Sequence, residues 1–321
     1  MRAVPVATLC CGRAIRGGPL HLFRHNAVLQ RLWSLVRPAP SGHRSVKSLF
    51  GDVHLDRSAQ ARQRSYPLPL KTCVIYFTPR SGSSWLSDIL ARTRCIGHAN
   101  EVFNPELLPK FAQTVQADTL PDYIDLIQRR LNARGVFSFE ITWHQMQAVF
   151  GDGAAFMTHF KTAESVWLVR RDIVAQAVSL AKMVSTRIAH TPQTDEDARA
   201  AAEHAFSYDP ELIRHWLMHI FQAEQGTEAH FARHGLQPMR IDYESATTAG
   251  AEAIIAAFAR HLGVEVPARP VMQSPHVKLG TAQNALFAER FRDEQAVWLA
   301  GIEAERAAWV CRLAPLGPDR P

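Results

Sequence analysis

The sequence predicts an α/β protein with three layers and a mainly parallel central sheet. Short runs of β-branched and aromatic residues, each typical of a buried strand, occur near residues 71–77, 136–142, 166–170 and 237–242. Longer segments with helical periodicity separate these runs, and strands that alternate with helices pair in parallel. The 321 residues, of which 47% are hydrophobic and 21% charged, suffice for one large globular domain.

The composition excludes a collagen, a coiled coil and a wholly disordered chain. No stretch of about 18 uninterrupted apolar residues occurs, so we predict no transmembrane helix. The net charge of +6 is unevenly distributed, because residues 1–51 hold eight basic and no acidic side chains. The other 270 residues hold 28 basic and 30 acidic side chains, a net charge of −2. A protein that follows a phosphate backbone has its basic face on the folded domain, so we predict no nucleic-acid partner.

The charge distribution suggests how the chain is divided. We predict a basic, disordered leader over residues 1–65, a folded domain over 66–310 with an inserted lid near 190–210, and a tail over 311–321. An Arg-rich start without acidic residues also resembles a mitochondrial transit peptide, and an unused upstream start codon is a third interpretation. Five cysteines in no metal-ligand spacing favour free thiols in a reducing compartment, so we predict a cytoplasmic protein.

The first predicted strand leads into a loop that suits phosphate. Lys71–Phe77 is typical of a buried strand, and the Ser- and Gly-rich segment Thr78–Ser84 follows it. The next residues predict a helix, because apolar side chains recur at helical spacing at Trp85, Leu86, Ile89 and Leu90. Backbone N–H groups at the start of a helix have no helical partner and favour an anion.

The residue types in this loop add to its affinity for anions. Gly82 allows the backbone to approach a phosphate closely, and Arg80 adds a permanent charge. Further hydroxyl donors are Ser81, Ser83 and Ser84. The loop is not a Walker A motif, because Ser83 stands where that motif has its lysine. An ordinary serine-rich turn is the alternative interpretation.

A second basic turn follows the predicted strand Ser165–Val169. Arg170 and Arg171 come at its carboxyl end, where open α/β sheets bind ligands. Asp172 suits the start of the next helix, and Ser179, about two turns into that helix, can face the same groove. Either arginine could hold a phosphate, and a surface arginine pair beside a capped helix is the alternative.

Together, the two turns resemble the nucleotide-binding motifs of sulfotransferases. Arg80-Ser-Gly-Ser-Ser-Trp85 is similar to their 5′-phosphosulfate loop, and the segment from Arg170 to Ser179 is similar to their 3′-phosphate motif. Within that class the chain resembles the bacterial trehalose-type, or Stf0-like, sulfotransferase family. The further segments that support this resemblance are Gly97–Pro105, Ile141–Gln145, Gln176–Arg187, Asp242–Glu244 and Phe287–Arg292.

This resemblance implies a P-loop-type fold and a sulfotransferase reaction. A sulfuryl group would move from 3′-phosphoadenosine 5′-phosphosulfate (PAPS) to a hydroxyl of a carbohydrate or glycolipid. Glu101 would be the general base, Arg80 would stabilise the leaving phosphate, and the enzyme would form a homodimer. The implied nucleotide ligands are Arg80, Ser81, Gly82, Ser83, Ser84, Trp85, Arg170, Arg171, Ser179 and Lys278. The candidate acceptor ligands are Trp143, His144 and Arg187.

Several assignments have alternatives. His98 and His144 rival Glu101 as the base, and Glu101 could instead be a carboxylate at the start of a helix. Trp143 could stack on a sugar ring or pack in the core. No metal is required, since the pair His215 and His219 lacks a third ligand.

Three positions depart from the pattern of the resembled family. Val102, Glu140 and Phe287 stand where that family often has tyrosine, lysine and tryptophan. These departures leave the acceptor sugar undefined, and Glu140 could change the charge at the floor of the site. Two other hypotheses are a P-loop small-molecule kinase, which the absent loop lysine disfavours, and a nucleotide-binding protein without catalysis.

Overall fold

The computed structural model describes residues 49–50, 53–186, 201, 203–266 and 281–313. Within this part of the chain, four parallel strands form a sheet in the order β2-β1-β3-β4. The strands are β1 (Lys71–Tyr76), β2 (Val136–Ile141), β3 (Glu164–Val169) and β4 (Met239–Asp242). The predicted α/β class and parallel sheet are confirmed.

Helices connect and cover these strands in the described residues. Before β2 they are α1 (Arg57–Arg64), α2 (Ser83–Arg92), α3 (Leu108–Val115) and α4 (Leu120–Arg130). Between β2 and β4 they are α5 (Trp143–Phe150), α6 (Gly153–Phe160), α7 (Ile173–Thr186) and α8 (Pro210–His234). After β4 they are α9 (Tyr243–Leu262), α10 (Ala282–Glu294) and α11 (Ala296–Val310).

Helices pack on both faces of the sheet because the strands are apolar on both faces. Successive side chains of β1 alternate between the faces. Val74 and Tyr76 pack with α4, α6, α7 and α8, whereas Cys73 and Ile75 pack with α2 and α9. The predicted three-layer arrangement follows from this alternation.

The strand order creates a crevice at the carboxyl ends of β1 and β3. The chain leaves β1 towards β2 on one side and returns to β3 on the other, so the connections diverge between these two strands. Ligands of open α/β sheets bind at such a switch point. The two basic turns of the sequence lie at this crevice.

Part of the predicted leader is folded. Leu49 and Phe50 are buried, and the ring centroid of Phe50 lies 5.8 Å from that of Tyr123. Helix α1 follows Asp56, whose carboxylate caps it by accepting two backbone N–H bonds. The predicted disorder therefore does not hold for residues 49–50 and 53–65, where two buried apolar side chains and a capped helix attach the chain to the domain.

Several predictions concern residues outside those described. They include most of the leader, most of the lid region, the end of the tail, Arg187 and Lys278. In the ranges that are described, no helix is long and apolar enough to cross a membrane. Cys73 and Cys95 are buried free thiols, and Cys311 is an exposed one.

Candidate active site

The loop after β1 presents the start of α2 to the crevice. Arg80 and Gly82 both have a left-handed backbone, with φ values of 67° and 91°. No side chain in the described residues caps α2 at Gly82. The Ser81 hydroxyl is buried, and no described group hydrogen-bonds to it. A buried donor without a partner and an uncapped helix start both suit a bound anion.

Gly82 has no room for a side chain. A Cβ atom at this position would lie 2.4 Å from Cδ2 of Tyr243, the first residue of α9. The Arg170 guanidinium lies 5.2 Å from the centroid of the same tyrosine ring. The ring thus separates the loop from α9 and borders the crevice.

Replacing Gly82 with alanine is expected to destabilise the protein by about 1–3 kcal/mol. The added Cβ would clash with the Tyr243 ring. Alanine would also have to adopt the left-handed backbone conformation of Gly82, which is unfavourable for residues other than glycine. Gly235→Ala is the matched control, because Gly235 has a φ of 63° and nothing lies within 4 Å of its added Cβ. Urea unfolding gives the loss of unfolding free energy in both variants. The loss in Gly235→Ala measures the backbone cost alone, and an equal loss in Gly82→Ala would show that the clash with Tyr243 costs nothing.

Direct hydrogen bonds join the two turns. Nε of Arg80 donates to Oγ of Ser179 at 3.0 Å, and Nη1 of Arg170 donates to the Arg80 carbonyl at 3.3 Å. Gln176 of α7 donates to Oγ1 of Thr78 and to the backbone carbonyl of Pro79, both at 2.8 Å. Sequence-predicted residues about 90 positions apart therefore line one crevice.

The crevice brings the positive charges of Arg80 and Arg170 close together in a buried position. Burial, together with the nearby charge of Arg170, lowers the pKa of Arg80 to about 10. The guanidinium therefore stays charged at neutral pH, although its surroundings disfavour the charge. A bound anion would offset both the burial of the Arg80 charge and its repulsion by Arg170. The electrostatics therefore favour a phosphate or sulfate ligand.

The two consecutive arginines have different environments. Arg171 forms an ion pair with the buried Asp242, with Nε at 3.1 Å from Oδ1, and also donates to the Leu313 carbonyl. Nε of Arg170 is buried, and no described group accepts a hydrogen bond from it. Of the two, Arg170 is therefore the better candidate for a phosphate ligand.

A carboxylate occupies the start of α7. Glu244 accepts backbone N–H bonds from Arg171 at 3.0 Å and from Asp172 at 3.2 Å. Its Oε1 lies 4.0 Å from Nε of Arg170. These two N–H groups are already paired, so a phosphate at this turn would depend mainly on side chains.

Glu101 lies beside the loop in a cradle of amide donors. Its Oε2 accepts hydrogen bonds from Nδ2 of Asn104 at 2.9 Å and from Nε2 of Gln145 at 2.6 Å. Gln145 also forms a capping box with Thr142 at the start of α5. The site residues predicted from the sequence did not include Asn104 or Gln145, although the Thr-x-x-Gln spacing signals the cap at α5.

Glu140 is a second carboxyl group next to this cradle. It is 3% exposed, and the hydroxyl of Ser83 in the phosphate loop hydrogen-bonds to it. Burial raises the pKa of Glu140 well above its ordinary value, and the charge of Glu101 raises it further. At this position, where the resembled family often has lysine, the surroundings therefore favour the neutral form of a carboxyl group.

Replacing Glu140 with glutamine is expected to remove a pH dependence of stability. The folded pKa is raised, so the folded protein keeps a proton that the unfolded chain releases above about pH 4.5. The free energy of unfolding should therefore fall with rising pH above that value, by up to about 1.4 kcal/mol per pH unit. Urea unfolding between pH 5 and 8 measures the slope. Glu303→Gln, at an exposed site, should keep the wild-type slope, and an unchanged slope in Glu140→Gln would refute the protonated state.

The other predicted acceptor residues pack against α8. A Cβ on Gly226 would lie 2.3 Å from Cε2 of Trp143, so the indole ring covers that glycine. The His144 ring stacks on that of His219 with centroids 4.1 Å apart, and burial lowers the pKa of both histidines. These contacts favour packing for Trp143 and a neutral, packed side chain for His144. His98 is exposed.

No group of three or more metal-ligating side chains occurs among the described residues. The described part of the site contains serine hydroxyls, arginines, carboxyl groups and side-chain amides at the end of a parallel sheet.

Comparison with known families assigns the chain to a class of enzyme. The family model of the Stf0 sulphotransferases matches residues 72–294, which include both basic turns and Glu101. The protein is accordingly a transferase of sulfuryl groups, and the chain belongs to the Stf0 sulphotransferase family. A comparison with curated proteins finds no match.

Proposed function

We propose that this enzyme transfers the sulfuryl group of PAPS to a hydroxyl of a carbohydrate or glycolipid. The observation that best supports the proposal is the hydrogen bond from Arg80 to Ser179, at 3.0 Å, which joins the two basic turns. A nucleotide with phosphate groups at both its 3′ and 5′ positions needs two such anion sites in one crevice. Buried polar atoms without described partners, Ser81 Oγ and Arg170 Nε, fit this ligand.

Each turn would bind one end of the nucleotide. The 5′-phosphosulfate would accept hydrogen bonds from Arg80, from the serine hydroxyls and from the backbone N–H groups at the start of α2. The 3′-phosphate would bind Arg170 and the hydroxyl of Ser179. Trp85, half-buried on the first turn of α2, would border the nucleotide.

The chemical step needs a base and a stabilised leaving group. Glu101 would accept the proton of the acceptor hydroxyl as the acceptor oxygen forms its bond to sulfur. The bond from sulfur to the 5′-phosphate oxygen breaks, and that oxygen leaves with the electron pair. Arg80 would stabilise the charge that develops on it. The products are a sulfate ester and adenosine 3′,5′-bisphosphate.

Further parts of the proposal rest on the sequence. We propose a cytoplasmic homodimer, in a reducing compartment where Cys73 and Cys95 stay as thiols. Size-exclusion chromatography with light scattering measures the oligomeric state.

Nucleotide binding and transfer test the proposed function together. Calorimetry should show that the purified protein binds adenosine 3′,5′-bisphosphate more tightly than ATP with Mg²⁺. Incubation with ³⁵S-labelled PAPS and a panel of sugars and glycolipids should yield a labelled acceptor. Tighter binding of ATP would favour the kinase hypothesis, and bisphosphate binding without transfer to any sugar or lipid would favour a different acceptor or a non-catalytic protein.

A further inference from the structure

The C-terminal helix α11 places a buried arginine beneath the second basic turn. Arg306 is 3% exposed. Its Nη1 donates to the carbonyl of Arg171 and its Nη2 to the carbonyl of Arg170, both at 2.9 Å. A planar guanidinium that binds two successive carbonyls fixes the orientation of both peptide groups.

A buried carboxylate neutralises this arginine. Glu224 of α8 is fully buried and forms a two-point ion pair with Arg306, at 2.8 Å from Nε and 3.0 Å from Nη2. Trp309 Nε1 donates to the same carboxylate at 2.9 Å. A buried ion pair adds little stability compared with apolar packing. The role of the pair between Arg306 and Glu224 is therefore more readily explained by the conformation that it fixes.

Of the two arginines in this turn, Arg170 has the side chain that is more available to a ligand. The side chain of Arg171 is held by Asp242, and its peptide group is held by Arg306. The Arg170 peptide is also held, but the Nε of its side chain has no hydrogen-bond partner in the described residues. The support comes from residues beyond position 294, where the match to the family model ends.

We propose that Arg306 is a positioning residue that aims Arg170 at the 3′-phosphate of the nucleotide. This inference rests on the proposed function, because it assumes a ligand with that phosphate. Holding the turn in its bound geometry lowers the cost of ordering it when the nucleotide binds. The effect should be largest at the 3′ end, since Arg306 contacts the second turn directly and meets the phosphate loop after β1 only through the hydrogen bond from Arg170 to the Arg80 carbonyl.

The test compares two nucleotides that differ only in this phosphate. Calorimetry gives the Kd of adenosine 3′,5′-bisphosphate and of adenosine 5′-monophosphate for the wild type and for Arg306→Lys. Lysine keeps the charge beside Glu224 but cannot bind both carbonyls and both carboxylate oxygens. We expect the Kd of the bisphosphate to rise about tenfold or more and that of the monophosphate to change less than about threefold. Arg312→Lys is the control. Arg312 lies just beyond α11, its side chain is exposed, and it forms an ion pair with Glu228.

Each outcome bears on the proposal. Equal losses for both nucleotides, or no loss for either, would overturn the positioning role. A wild type that does not prefer the bisphosphate would instead overturn the proposed function. If Arg306→Lys does not fold, the double variant Arg306→Gln, Glu224→Gln gives the same comparison, because it removes the guanidinium that binds the two carbonyls and leaves no unpaired buried charge. A preference for the bisphosphate that is unchanged in this variant would also overturn the proposal.

Discussion

Replacing Glu101 with glutamine should lower kcat by about 10²–10⁴-fold and leave the Kd of adenosine 3′,5′-bisphosphate within about threefold. Glutamine has nearly the shape of glutamate but cannot accept a proton from the acceptor hydroxyl. Single-turnover transfer from labelled PAPS, together with calorimetry on the bisphosphate, measures both quantities.

The surroundings of Glu101 make this substitution informative. Asn104 and Gln145 donate to its Oε2, so one carboxylate oxygen is fixed by the protein. In the glutamine variant these donors can still bind the amide oxygen, and the local structure should persist. Loss of turnover would then report the lost base and not a rearranged loop.

Glu106→Gln is the matched control for this experiment. Glu106 belongs to the same segment but has an exposed side chain. Its substitution should leave kcat within about twofold. If Glu101→Gln retained wild-type turnover, Glu101 would not be the base.

Local patterns sufficed to predict the strands and the two basic turns. Lys71–Tyr76 and Val136–Ile141 are rich in β-branched and aromatic residues, and this composition suffices to predict a strand that is buried on both faces. The serine-rich loop predicted the start of α2 because the loop and the helix are adjacent in the sequence. The parallel pairing followed from the alternation of strands and helices.

Contacts between distant residues could not be predicted in this way. Gln145 reaches Glu101 across 44 positions, and Arg306 reaches Arg170 across 136. The sequence left open which arginine meets a phosphate, because the choice depends on Asp242 of β4. The raised pKa of Glu140 likewise depends on its burial, which no local pattern reveals.

Strain at Arg80 links function to conformation. Its φ of 67° lies in the left-handed region, which costs a residue other than glycine about 1–2 kcal/mol. Burial and the charge of Arg170 also oppose its positive charge. An arginine held under such conditions is typical of a functional site, where binding a ligand compensates for the strain.

Replacing Arg80 with glycine should therefore separate activity from stability. We expect kcat/KM for PAPS to fall by about 10³-fold or more, because the leaving phosphate loses its cation. The free energy of unfolding of the ligand-free protein should change by less than about 1 kcal/mol, since the relieved strain offsets the lost bond to Ser179 and the greater freedom of the unfolded chain. Steady-state kinetics and urea unfolding measure the two effects.

Arg94→Gly is the control for the backbone contribution. Arg94 also has a left-handed backbone, with a φ of 56°, but it is exposed and lies after α2, away from the crevice. This variant should keep full activity and show a similarly small change in stability. If Arg80→Gly kept its activity but lost several kcal/mol of stability, Arg80 would be a structural residue. A large loss of activity at unchanged stability, seen only at position 80, would identify its guanidinium as part of the transfer machinery.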